Sequence, residues 1–451
     1  MFYFKTIIFR KFYSAMPITR NVLQEPNQDE DPDTDLWLDT TDPQHETTPS
    51  KILSFITTRK INFNDIDQNL KSTFNHLEPE QQQTRKICQQ FYQRYQGNGY
   101  LNYPKHIKFA SDGLLDDLEH YFKSLDASRP WLCYWSVHAL KILKTKIPSP
   151  ENILSFLKHC YNFETGGFGG GPQQLSHLAP TYAAVNCIAS LGIDQGYEFL
   201  KEIRPSLVKF LESVFEPELG YFLMHKNGEF DTRAAYCAIS VSSLLNLDIL
   251  IKQSKIDFTK TFNWLLSCQS YEGGFSGIPG AEAHGGYTWC ALAGLALLDR
   301  DSVSLKKGSF KALSWLSRRQ CVYEGGFNGR TNKLVDACYS FWQGSCFNII
   351  EDYVLNMNED SEFKSRPRKI KIGNSIALAS YITGCCQNNR IGGIMDKPGK
   401  GPDYYHTCYG LSGYSFTEMA DEERDHVSRV CPLFNLVEGV SESLEEYLSG
   451  R

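Results

Sequence analysis

Residues 271–298 read YEGGFSGIPGAEAHGGYTWCALAGLALL. The stretch opens on the turn Gly273-Gly274-Phe275 and ends in a run from Glu282 to Leu298 that is too long and alanine-rich for a strand. That run is apolar nearly all round, the mark of a helix buried on every side. The turn recurs as Gly166-Gly167-Phe168, Gly220-Tyr221-Phe222, Gly325-Gly326-Phe327 and Gly392-Gly393-Ile394, so its third residue falls at 168, 222, 275, 327 and 394, at intervals of 54, 53, 52 and 67. A period above about 50 residues with two helical runs per unit indicates a repeat architecture, and helix pairs joined by glycine turns either stack as an open solenoid or close into a barrel. Ala179 to Leu191 (APTYAAVNCIASL) is a second run of the inner, all-apolar type, whereas Glu151 to Cys160 and Leu305 to Arg319 are amphipathic and suit an outer ring. Two rings predict an all-α fold, an α/α barrel (α6-α6 toroid), with its pocket lined by inner helices. The glycines themselves need no function, because each permits positive φ just beyond a helix.

The 451 residues are 41% hydrophobic and 13% aromatic, enough for a large core, and a net charge of -6 gives no global reason to expect nucleic acid. A local cluster of cations is therefore a pocket rather than a face. Fourteen cysteines sit mostly singly in apolar runs (Cys133, Cys187, Cys237, Cys290), which reads as reduced thiols in a cytoplasmic protein; the adjacent Cys385-Cys386 reads as packing. No run of about 18 apolar residues exists to span a membrane. The first 20 residues carry Lys5, Arg10, Lys11 and Arg20 with no acid before Glu25, which is similar to a mitochondrial transit segment, or marks an upstream start ahead of Met16. Residues 21–50 are acidic, polar and proline-bearing, so residues 1–50 are expected to form a disordered or targeting-like tail. Residues 51–113 are expected as a helical extension and 114–451 as the barrel.

Chemistry concentrates near the fourth turn. Asp336, Cys338 and His406 offer a carboxylate, a thiolate and an imidazole, a set that suits one open tetrahedral zinc. Residues two apart on a helix diverge by about 200°, so Asp336 and Cys338 converge only if Asp336 stands at the helix entry. The plain alternative is a helix-capping aspartate beside a core cysteine. His284, Arg330, Lys333 and Tyr339, with Arg233 as a further candidate, form a basic set able to hold phosphate oxygens, and Arg330 and Lys333, three apart, are expected to share a face. Trp131 and Trp135 line one helical face, and Tyr236, Tyr287, Trp289, Trp342, Tyr405 and Tyr409 add an aromatic wall; such stripes are often simply core. Cations beside an aromatic wall suit a ligand with an apolar tail and a diphosphate head. Walker and aspartate-rich diphosphate motifs are absent, since Asp116-Asp117 continues as Leu-Glu-His, which leaves basic side chains and one magnesium through Asp396 as the available devices.

The segments LDASRPWLCYW, HLAPTYAAVN, EAHGGYT, NKLVDACYSFWQ and DKPGK with DYYHTCY, spread over roughly residues 120–415, closely resemble the β-subunit family of protein prenyltransferases, its farnesyltransferase branch above all. The resemblance implies zinc on Asp336, Cys338 and His406, diphosphate on His284, Arg330, Lys333 and Tyr339, and magnesium at Asp396. It implies a lipid pocket at Arg233, Tyr236, Tyr287, Cys290 and Trp342, and a site for a C-terminal Cys-a-a-X peptide at Trp131, Trp135, His177, Ala179, Pro180 and Tyr405. It further implies an obligate α subunit, farnesyl diphosphate as donor, and CaaX-ending proteins such as small GTPases as acceptors. A zinc-held thiolate of the acceptor would attack C1 of the lipid while the basic cluster and magnesium stabilise the departing diphosphate. The nearest rival is a geranylgeranyltransferase type I β subunit; Trp131 and Tyr409 match bulky farnesyl-type positions, and Asp396 stands where the magnesium-independent relative has lysine. A terpene cyclase lacks its acidic motif here, and a non-catalytic helical scaffold would not need all three zinc ligands.

Overall fold

In the computed structural model, which describes residues 79–94, 100–115, 120–299, 301–354, 373–417 and 425–450, the five glycine turns occupy equivalent places in one repeating unit. The expected tail, the transit-like start and the extension before Pro79 lie outside the described residues, as do Asp116-Asp117.

The helices in chain order are α1 (Pro79–Arg94), α2 (Tyr103–Leu115), α3 (Arg129–Ile142), α4 (Pro150–Cys160), α5 (Leu178–Leu191), α6 (Asp194–Glu202), α7 (Arg204–Ser213) and α8 (Thr232–Leu244). They continue as α9 (Phe258–Ser267), α10 (Gly285–Asp299), α11 (Val303–Ser317), α12 (Tyr339–Trp342), α13 (Ser375–Ser380), α14 (Tyr404–Tyr414) and α15 (Val440–Ser449). α12 runs on through a second turn, Gly344–Asn348, and π-helical backbone, Ile349–Val354; α13 likewise continues as Tyr381–Cys386. α3, α5, α8, α10, α12 and α14 pack side by side in that order, and α14 returns to α3, so the ring closes. The barrel alternative to an open solenoid is the one realised. α2 runs unbroken across the 113/114 boundary expected from the sequence and packs against both α3 and α14.

The inner helices start as polar caps allow: Asp231 accepts the Arg233 N–H at the head of α8, Asp403 the His406 N–H at the head of α14, and the His177 Nδ1 the Ala179 N–H at the head of α5. The turns do more than end helices. Gly166, Gly220, Gly273, Gly325 and Gly392 all have positive φ, between 73° and 102°. A Cβ at these positions would fall 2.0–2.5 Å from backbone or β-carbon atoms of an outer helix: Ser206 on α7, Lys260 on α9, Lys311 on α11, Ala377 on α13 and Lys105 on α2. Each glycine thus lets a turn dock on the next outer helix, and the last docks on the first. Phe168, Phe222, Phe275, Phe327 and Ile394, the third residues, are fully buried. Burying each contributes about 1.5–3 kcal/mol.

Among the described residues, strands are confined to short hairpins, β1 (Ile394–Met395) with β2 (Pro402–Asp403) and β3 (Val430–Cys431) with β4 (Leu436–Val437). The β3–β4 turn, residues 432–435, is wholly buried and is held by side chains from four of the inner helices. Its carbonyls accept in reverse order around the ring: Asn435 O from the Tyr134 hydroxyl at 2.6 Å, Phe434 O from Tyr182 at 2.8 Å, Leu433 O from Tyr236 at 2.8 Å and Pro432 O from the Trp289 indole at 2.9 Å. The fourteen cysteines form no disulfide, as expected of reduced thiols. Among the described residues no helix is long and apolar enough to cross a membrane.

Candidate metal and diphosphate site

Asp336, Cys338 and His406 are all buried, and one ligand atom from each lies within 4.8 Å of the others. Asp336 stands just ahead of α12 and accepts the Cys338 N–H at 2.9 Å, so the turn folds carboxylate and thiol onto one side. This is the helix-entry placement that convergence requires. The carboxylate caps the helix and faces the cluster as well, so the capping and ligand readings coexist. His406, in the first turn of α14, has Nε2 3.3 Å from Asp336 Oδ1 and Nδ1 2.7 Å from Asp403 Oδ2. Asp403 therefore fixes the ring and its tautomer, the usual role of a carboxylate behind a metal-bound histidine. Burial alone would lower the His406 pKa, but the Asp336 carboxylate, then Asp403 and Cys338, outweigh it and hold it well above the ordinary imidazole range. Two carboxylates converging on one buried imidazole make a place that suits a cation. Zinc ligands at 2.0–2.3 Å from a tetrahedral ion stand roughly 3.3–3.8 Å apart; His406 and Asp336 are already at that spacing, and carboxylate, thiolate and imidazole are the ligand types such an ion takes with one position open.

The cationic set adjoins this cluster. Tyr339 follows Cys338, and its hydroxyl is 3.0 Å from His284 Nε2, while His284 Nδ1 accepts the Gly286 N–H. Burial, then the charges of Cys338, Asp336 and Asp396, push the Tyr339 phenol well up, so it is a donor throughout the physiological range. Arg330 is half-buried and ion-paired with Glu282; Lys333 is exposed. The expected shared helical face of Arg330 and Lys333 is not realised. Residues 328–335 form a tight loop closed by pairing of Asn328 with Val335, with Asn332 at φ 57°. Asp396 is ion-paired with Lys397, and its main-chain carbonyl accepts from the Ala337 N–H and the Tyr381 hydroxyl. Burial and the neighbouring Asp336 raise its carboxyl pKa, against Lys397 and His406. A divalent ion at Asp396 would have to displace the lysine.

Behind the cluster an aromatic ring lines the barrel, at least one residue from each inner helix. Trp135 meets Tyr405 at 5.5 Å and Trp131 at 5.7 Å; Trp131 meets Tyr182 at 5.6 Å, Tyr182 meets Tyr236 at 5.5 Å, and Tyr236 meets Trp289 at 4.4 Å. Trp289 meets Trp342 at 5.0 Å, Trp342 meets Tyr409 at 4.3 Å, and the Trp342 indole donates to the Tyr405 hydroxyl at 3.1 Å. Arg233, paired with Asp231, lies 5.7 Å from the Tyr287 ring; Cys290 is buried on the same helix as Tyr287. His177 is held neutral, its pKa lowered to about 3 by burial and then by His225 and Arg233; Ala179 and Pro180 follow it in the first turn of α5.

The sequence reading overlooked Asp403 and Tyr182. Asp403 carried a signal, the cap spacing three residues before His406. So did Tyr182: with Tyr236, Trp289, Trp342 and Tyr409 it falls at intervals of 54, 53, 53 and 67, nearly those of the turns.

A family model, the prenyltransferase alpha-alpha toroid domain, matches residues 101–436. The protein farnesyltransferase subunit beta of Pyricularia oryzae is 41% identical over 333 residues, 71% of this chain and 63% of that protein. Its counterpart in Schizosaccharomyces pombe is 40% identical over 330 residues, 73% of this chain and 81% of that protein. Among solved structures, the Candida albicans protein geranylgeranyltransferase-I complexed with GGPP superposes with a TM-score of 0.64 over 77% of this chain and 99% of that one, at 22% identity, which bears on the fold alone. The chain belongs to the prenyltransferase alpha-alpha toroid family, and within it to the protein farnesyltransferase β subunits.

Proposed function

We propose that this chain is the catalytic subunit of a cytoplasmic heterodimer, paired with a helical-repeat α subunit, that moves a farnesyl group from farnesyl diphosphate to the cysteine of a C-terminal CaaX sequence. The observation that carries this reading is the buried Asp336–Cys338–His406 cluster, bordered on one side by Tyr339 and His284 and on another by Tyr405 of the aromatic ring. Thiol-activating, diphosphate-binding and lipid-binding chemistry then share one pocket.

Asp336, Cys338 and His406 would hold zinc, which supplies a Lewis acid that favours the thiolate of an incoming cysteine at neutral pH. In the transfer the sulfur–C1 bond forms, the C1–oxygen bond breaks, and the electron pair leaves on the diphosphate. Tyr339 and His284 donate to the diphosphate oxygens, and Arg330 and Lys333 offset the charge that gathers there as the bond loosens. Asp396, now paired with Lys397, would hold magnesium, which supplies positive charge for the departing diphosphate. The aromatic ring orients the isoprenoid and excludes water, while Trp131, Trp135, His177 and Tyr405 border the peptide. Farnesyl rather than a longer lipid is favoured by Trp131 packed on Tyr182 and Tyr409 packed on Trp342.

The test is co-expression with an α subunit, followed by offering farnesyl and geranylgeranyl diphosphate with a CaaX peptide. Thioether formation preferring farnesyl supports the reading. Transfer only from the longer lipid, or no transfer from either, overturns it.

A further inference from the structure

The β3–β4 turn is tied to the ring through four carbonyls, and its last residue is tied once more through its side chain. Asn435 is fully buried at φ 55°. Its Oδ1 is 3.2 Å from His138 Nε2, which is also 3.1 Å from Ser412 Oγ. Ser412 donates its own proton to Cys408 O at 2.9 Å, so the His138 N–H is shared between Ser412 and Asn435. His138 is on α3, and Ser412 and Cys408 are on α14. These are the first and last inner helices, and they meet at the seam where the ring closes.

The same two helices carry Trp131 and Tyr409. Tyr134, which donates to Asn435 O, is one turn beyond Trp131 and 6.0 Å from it ring to ring. Ser412, which shares the His138 N–H with Asn435, is one turn beyond Tyr409. Trp131 is thus one helical turn from a residue bonded to Asn435, and Tyr409 is one turn from the residue that shares His138 with it. We propose that Asn435 is a positioning residue for lipid-length selection: through it the β3–β4 turn holds the closing seam in register and forms a rigid floor beneath the aromatic ring. The inference rests on the farnesyl reading above.

The physical reason is that a lipid one isoprene longer must push either the rings or the turn. Moving the turn leaves the Tyr134, Tyr182 and Tyr236 hydroxyls and the Trp289 N–H without acceptors in apolar surroundings, and a buried donor stripped of its partner is costly. Fully anchored, the floor resists. With the seam anchor gone, it yields to the longer chain while the shorter one, which does not press on it, is unaffected.

The test uses the assembled heterodimer with two variants. Asn435→Gly keeps the left-handed backbone and the carbonyl that Tyr134 reaches, but removes Oδ1. Tyr134→Phe keeps the buried ring and removes the bond to Asn435 O. For each, kcat/KM is measured for farnesyl and geranylgeranyl diphosphate with one CaaX peptide. The expected result is a shift of about tenfold in the ratio toward the longer lipid, with the farnesyl kcat within about threefold of the unaltered enzyme and the peptide KM unmoved. A residue that merely supports folding would lower both lipids together and leave the ratio alone. A ratio within about threefold of the native value overturns the inference; if Asn435→Gly does not assemble, the conservative Tyr134→Phe decides by the same criterion. Failure of the unaltered heterodimer to use farnesyl diphosphate would instead overturn the functional reading beneath it.

Discussion

Acid should loosen this barrel where its first and last units meet, through two histidines buried as neutral rings. His106 Nδ1 accepts the Gly393 N–H at 3.0 Å, and its Nε2 lies 3.3 Å from Gln387 Oε1, which pins α2 to the fifth glycine turn. His138 has one nitrogen on Ser412 and Asn435, and its Nδ1 is buried with no hydrogen-bond partner. Burial lowers the two pKa values to about 4 and about 3, against 6.5 for a free imidazole. Both folded values lie below the unfolded one, so the unfolded chain binds more protons in between. The stability they confer is complete above pH 6.5 and is lost as pH falls toward 4 for His106 and 3 for His138. At pH 5 each costs about 2 kcal/mol relative to pH 8, and about 4 kcal/mol together, from 1.36 kcal/mol per unit. His106→Gln retains a donor and an acceptor but cannot be charged. Urea unfolding of the assembled protein from pH 8 to pH 5 should therefore show the unaltered protein losing about 2 kcal/mol more than the variant. Carboxylates and metal ligands titrate equally in both and cancel in the difference. Parallel pH profiles would refute the reasoning, because they would mean that His106 is protonated in the folded state without penalty.

Four further outcomes follow from the site. Cys338→Ala should abolish metal retention, read by elemental analysis, while farnesyl diphosphate still binds in a fluorescence titration; equal loss of lipid binding would merge two subsites taken here as separate. Asp403→Asn should keep the metal but weaken it about 10–100-fold in a chelator competition, and unchanged affinity would strip Asp403 of its orienting role. Asp396→Ala should raise the magnesium concentration for half-maximal rate with little change in peptide KM; an unshifted magnesium titration would leave Asp396 to its ion pair with Lys397. Replacing both Trp131 and Tyr409 with threonine should admit geranylgeranyl diphosphate, whose five extra carbons are worth up to ~4 kcal/mol if fully buried, and a ratio of kcat/KM for the two lipids that does not move would show that these rings do not measure the chain.

What the sequence displayed and what it concealed divide along a physical line. The glycine turns were legible because two requirements fall on one position: positive φ and the absence of a Cβ where an outer helix passes within 2.0–2.5 Å. No other residue meets both, so the repeat is written in glycine. The aromatic ring was partly legible because the barrel repeats its side chains at the period of its turns, which is also how Tyr182 could have been found. The metal cluster was legible in its residue types, but its convergence depended on Asp336 standing at a helix entry, a matter of three-dimensional placement. Arg330 and Lys333 misled, because a spacing of three means a shared face only on a helix, and Asn332 at φ 57° turns that segment into a loop instead. The β3–β4 turn left almost no trace. Residues 432–435 are held chiefly through main-chain carbonyls, by side chains 143 to 301 residues away. Every residue offers a carbonyl, so such an acceptor imposes nothing on the identity of the residue that bears it. Only Asn435 breaks that silence, since its left-handed backbone and side-chain acceptor both restrict what can stand there.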